Sequence, residues 1–130
     1  MFEMPRDQFR HFVMLRGGTN YLRIEQGRWV GERREARKCM VCLCDSSVED
    51  EEHFLLNCTV YVREREKLFE EIRMKCNVKI DEKNTSKEEM MKIMIGNAIE
   101  DEKIAKEVRK RVIRYIMKIK KIRDKYVNNK

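Results

Sequence analysis

Three cysteines and one histidine have a spacing that points to metal chemistry. Cys39 and Cys42 stand three positions apart, ten residues separate Cys42 from His53, and four separate His53 from Cys58. Two cysteines at that interval occupy a tight turn that aims both sulfurs at one point, where backbone amides stabilise the thiolates. His53 and Cys58 can face the same point if the chain between them makes about one helical turn. Three thiolates and one imidazole are soft to borderline donors, and together they suit tetrahedral zinc. Four protein ligands leave no coordination position for water, so the site reads as structural rather than catalytic. Cys44 is a competing second ligand, because the interval from Cys39 to Cys44 is also permissible. Cys42 is preferred because its three-residue step matches the commoner turn. The fifth cysteine, Cys76, falls on the inner face of an expected helix and reads as a buried thiol.

The segments that must hold these donors read as helices. Between Met4 and Leu15, the residues Phe9, Phe12, Val13 and Leu15 lie near one helical face, and Pro5 suits a first turn. Gly17 and Gly18 end that helix, and Thr19 or Asn20 can cap a short successor. Residues 21–24 then lead into Gln26-Gly27-Arg28-Trp29, which reads as a turn. After Cys58, the residues Tyr61, Arg65, Leu68, Phe69, Ile72 and Cys76 recur at helical intervals. Ser86 followed by Glu89 is a capping-box pattern, opening a methionine-rich helix that ends before Gly96. A last helix is expected from about Asp101 to about Val127, with an apolar stripe of Ile104, Val108, Val112, Tyr115, Ile116, Ile119, Ile122 and Tyr126. The fold class is therefore mainly α: a small CCHC knuckle flanked by helices, with a long basic amphipathic C-terminal helix. Residues 1–80 form the zinc-binding domain, and 81–130 a helical extension.

Charged residues make up 41% of the 130-residue chain, far above the usual quarter, so a metal that locks part of a modest core is physically useful. No stretch has the roughly 18 apolar residues needed to span a membrane. An odd cysteine count and no signal-like N-terminus fit an intracellular compartment, nucleus or cytoplasm. There is no Gly-rich phosphate loop, and the carboxylates sit in charge runs rather than beside an open metal position, so an enzyme is not expected. The net charge of +7 is uneven. Residues 39–58 contain no Lys or Arg and carry −5, whereas residues 103–130 carry +10.

The run Arg37-Lys38-Cys39-Met40-Val41-Cys42, the segment from Val48 to Cys58, and then Tyr61 and Arg65 resemble the zinc-binding segment that follows the reverse transcriptase of non-LTR (LINE-type) retrotransposons. Upstream, Leu22 to Trp29 also resembles that region. The likeness covers roughly residues 9–127. It implies zinc ligands at Cys39, Cys42, His53 and Cys58, and a role in binding element RNA or target DNA.

A finger with no basic residue and a run from Glu49 to Glu52 would repel phosphates, so it reads as a clamp rather than a contact surface. The candidate nucleic-acid contacts are Arg28, Arg33, Arg34, Arg37 and Lys38 before the site, and Lys106, Lys110, Arg114, Lys121 and Lys125 on the last helix. Trp29 and Tyr21 are candidates for stacking on bases or for anchoring the core. The acidic segment from Asp81 to Glu102 is a candidate cover for the basic helix. The alternative is a protein-interaction module, with the long helix docking onto a partner or a second copy.

Overall fold

A computed structural model describes residues 10, 12–15, 21–42 and 48–128. Cys44, Phe9, Gly17, Gly18, Thr19 and Asn20 lie outside the described residues. Among the described residues, a helical stretch at 12–15 is followed in chain order by α1 (Arg23–Trp29), α2 (Val62–Lys75), α3 (Lys87–Ile95) and α4 (Glu102–Asn128). Between α1 and α2 the chain makes a 3₁₀ turn at Arg34–Ala36, a π-helical turn at His53–Asn57 and a second 3₁₀ turn at Thr59–Tyr61. Among the described residues there is no β-strand, only an isolated antiparallel bridge between Lys38 and Val48. No helix among them is long and apolar enough to cross a membrane. The protein is mainly helical, as its periodicity predicts.

The helix boundaries follow local chemistry. Ser86 accepts a hydrogen bond from the Glu89 amide at 3.1 Å, so Ser86 caps the start of α3 where the pattern predicts. Asp101 does the same for α4, accepting from the amides of Lys103 and Ile104 at 2.9 and 3.1 Å. At the end of α2, Asn77 adopts a left-handed φ of 55°, a conformation Asn tolerates better than most residues and one that stops a helix.

One expectation fails here. Gln26 to Trp29 form not a turn but the second half of α1. Gly27 is the misleading residue, because its role is close approach rather than backbone freedom. A Cβ there would lie 2.3 Å from Arg37 Cγ, so the missing side chain lets Arg37 cross the helix. The Arg37 guanidinium then donates to the Ile24 carbonyl at 3.0 Å and twice to the Glu32 carbonyl, at 2.7 and 3.1 Å. The turn comes later, at Gly31 with φ of 75°. In the first expected helix, residues 12–15 are helical with Phe12 and Leu15 buried, but Val13 is exposed.

A single core gathers residues from the knuckle and every labelled helix except α1, and it includes Leu22 at the N-cap of α1. The expected stripe of α4 supplies Val108, Val112, Tyr115, Ile116 and Ile119 to it, with Ile104 and Ile122 at its margin. Tyr126 stays largely exposed. The stripe also contains a charge. Arg123 is buried and makes a two-pronged ion pair with the buried Glu49, both hydrogen bonds 2.8 Å long. The same guanidinium donates to the Tyr21 carbonyl at 3.2 Å and lies over the Tyr21 ring, 5.5 Å from its centroid. Glu49 also accepts from the Arg23 amide at 2.7 Å, at the start of α1.

Breaking a buried, bidentate pair leaves an uncompensated charge, which costs about 3–5 kcal/mol. Arg123→Met should therefore lower unfolding stability by an amount of that order in urea titration. Replacing Glu49 and Arg123 together should cost less than the two single losses added. Additive losses would mean that the pair is not coupled.

Candidate metal centre

Two chain segments bring the four donors together. The first is the turn after the Lys38–Val48 bridge, where the amides of Val41 and Cys42 hydrogen-bond to the Cys39 sulfur. The second is the π-helical turn, closed by a 2.7 Å bond from the Cys58 amide to the His53 carbonyl. A wide turn of this kind advances the chain five residues per bond, so His53 and Cys58 lie one above the other on the same side. This is the single helical turn that the His53–Cys58 spacing predicts. Asp50 starts it by accepting from the His53 amide at 2.8 Å.

The result is a cluster of Cys39, Cys42, His53 and Cys58 whose ligand atoms all lie within 4.8 Å of one another, and which could hold a metal ion. The Cys42 sulfur stands 3.4 Å from His53 Nε2. Sulfur and nitrogen on adjacent corners of a tetrahedral site are separated by about 3.5 Å, given bonds near 2.3 and 2.0 Å. Cys39, His53 and Cys58 are buried and Cys42 is half-buried. Cys39 and Cys58 share a hydrogen bond that pulls the Cys39 thiol far below its ordinary pKa and pushes the Cys58 thiol far above it. Cys76, in contrast, is a buried thiol at the end of α2, as its place in the helical pattern predicts.

The carbonyls of the π-helical turn would be orphaned inside the core, and side chains from two helices satisfy them. Tyr115 of α4 donates its hydroxyl to the Leu55 carbonyl at 2.7 Å. Arg65 of α2 donates to the Leu56 carbonyl at 2.7 Å and to the Cys58 carbonyl. Arg65 is only 3% exposed, so its charge is buried against the Cys58 backbone rather than offered to solvent. Phe54, fully buried, packs edge-on against both Tyr21 and Tyr61, with centroids 5.8 and 5.6 Å away.

The acidic run therefore differs from the uniform repulsive loop expected from the sequence. Glu49 is buried on Arg123, and Asp50 caps the ligand turn and faces Arg34 at 3.5 Å. Sequence reasoning gave Glu49 and Asp50 no role beyond the acidic run and Tyr115 none beyond the apolar stripe, and it passed over Arg123. For Arg123 a signal existed: a cation at helical spacing from Ile116 and Ile119 on an apolar stripe demands a buried partner.

The basic candidates are dispersed. Arg37 is spent on backbone carbonyls and is no free contact. Arg28, Arg33, Arg34 and Lys38 are exposed, Arg28 standing 3.4 Å from Glu25. On α4, Lys106, Arg114, Lys121 and Lys125 are exposed and Lys110 is half-buried. These five fall within an arc of about 100° on a helix of 3.6 residues per turn, opposite the packed face. Among the described residues no ion pair engages any of the five, and none joins the acidic segment 81–102 to them. That segment instead packs on α4 through the apolar residues Met90, Ile93 and Met94 of α3. Trp29 lies outside the core, 79% exposed, whereas Tyr21 is packed against it.

Comparison with known proteins finds no matching family model, no matching curated protein and no matching solved structure.

Because Cys42 already stands beside His53, Cys42→Ser should abolish stoichiometric metal binding and Cys44→Ser should leave it intact, as read by metal analysis of the purified variants. The reverse pattern would show that the turn is ligated through Cys44.

Proposed function

We propose that Cys39, Cys42, His53 and Cys58 hold a structural zinc ion, and that the chain is a non-enzymatic nucleic-acid-binding accessory module of the kind found after the reverse transcriptase of non-LTR retrotransposons. The donor set supports zinc among metals, because three thiolates and an imidazole in a closed, mostly buried arrangement suit a tetrahedral, redox-inactive ion. Such an ion would leave the three-thiolate site with a charge of about −1. The buried Arg65 beside Cys58 offsets that charge. The family reading rests on the motif from Arg37 to Arg65.

The observation that carries nucleic-acid binding is the unpaired basic arc of α4. Residues Lys106, Lys110, Arg114, Lys121 and Lys125 are aligned over most of a helix about 40 Å long. Phosphates on a polyanion neutralise such an arc without reading base edges. The competing expectation, docking through the apolar face of α4, is disfavoured because that face is already occupied by the chain's own core. The finger serves as a clamp: it fixes Glu49, and Glu49 fixes Arg123 near the C-terminal end of α4.

Changing Lys110, Arg114, Lys121 and Lys125 to Gln should weaken binding by a similar factor for all sequences. It should also flatten the log–log salt slope by roughly 3.6 on duplex DNA. Filter-binding or anisotropy titrations across a salt series test this. An unchanged slope would make the arc a solvated face and remove the reading.

A further inference from the structure

Large aromatic residues in a small helical domain ordinarily fill its core, yet Trp29, the chain's single tryptophan, is 79% exposed. It is the last residue of α1, and its indole Nε1 donates to the Glu25 carboxylate at 3.1 Å one turn earlier. Glu25 is buried, so the indole edge is tied down while most of the ring faces solvent. Val30 beside it is 74% exposed, and Gly31 with φ of 75° turns the chain away. The surrounding charge is cationic. Arg28, Arg33, Arg34 and Lys38 are all exposed. Of the two carboxylates in residues 28–38, Glu32 is taken by Arg23; Arg28 and Arg34 face Glu25 and Asp50 at 3.4 and 3.5 Å but keep 65% and 59% of their side chains exposed.

We infer that Trp29 is a stacking platform for an unpaired base, and that the flank formed by Arg28, Arg33 and Arg34 grips the phosphates of a single-stranded polynucleotide. This rests on the nucleic-acid reading above and narrows it to single strands. A duplex keeps its bases stacked on each other and cannot offer a free face to an indole. A single strand offers one at every nucleotide, with a phosphate on either side for the arginines. Apolar protein partners are less well matched, because the exposed residues at 28, 33, 34 and 38 are cationic and do not supply the apolar surround that a packed interface core needs.

The sole tryptophan makes the test direct. Oligothymidylate, oligouridylate and a blunt-ended DNA duplex of two annealed strands are each titrated into the intact, zinc-loaded chain at matched phosphate concentration, following indole fluorescence. Saturable quenching by the single strands with little quenching by the duplex is the expected result. The two single-stranded arms separate DNA from RNA as the source of the base. Trp29→Ala should weaken single-strand binding roughly 5- to 150-fold, the range for loss of one stacked base, and leave duplex binding unchanged. Trp29→Phe should restore part of the loss, because a smaller ring still stacks. Thermal melting checks that both variants fold, and the quenching result on the unaltered chain needs no variant. Salt-dependent binding with a silent indole and an unaffected Trp29→Ala variant would overturn this inference while leaving the nucleic-acid reading standing. Failure of the unaltered chain to bind any of the three at low salt would overturn both.

Discussion

The stretch from Arg37 to Cys58 is organised by one requirement, that donors from two separate segments reach within 4.8 Å of one another. Three sulfurs and an imidazole gathered this closely have little reason to stay together on packing alone. Buried thiols are weak hydrogen-bond partners, and a hydrogen bond between Cys39 and Cys58 is a weak substitute for a cation. A tetrahedral ion held there would form only with the folded arrangement, so its binding energy would become folding energy for this part of the chain. The neighbouring devices serve the same end. Asp50 caps the ligand turn, Arg65 and Tyr115 hold its stray carbonyls, and Phe54 wedges its far side between two tyrosines.

A second constraint ties that centre to the rest of the molecule. Glu49 lies four residues before His53, and through it the finger reaches α1 by the Arg23 amide and α4 by the Arg123 guanidinium. A buried pair of this kind contributes little net stability over an apolar substitute, but it specifies geometry. Sliding α4 by one turn would strand both charges. The pair therefore fixes the register of a helix whose opposite face carries the basic arc.

Most of the helices were legible in the sequence because their signals are local. The Ser86–Glu89 box, the long period of α4 and the wide spacing of His53 and Cys58 each depend on residues within one or two turns. The four-donor cluster was legible for the same reason, since ligand spacing reports turn geometry. What was missed depends on distant partners. Gly27 looked like a turn because nothing nearby shows that Arg37 will cross it. Glu49 could not be told from Asp50 and Glu51 without knowing that Arg123, 74 positions later, arrives beside it. Trp29 had the composition of a core residue, and only the fold leaves it outside.

Metal analysis combined with chelator-dependent circular dichroism asks whether the fold depends on a metal at this centre. About one zinc per chain is expected, with a loss of helical signal and thermal stability on chelation that zinc alone restores. Purified chain with no bound metal, and an unfolding transition indifferent to chelator, would contradict it.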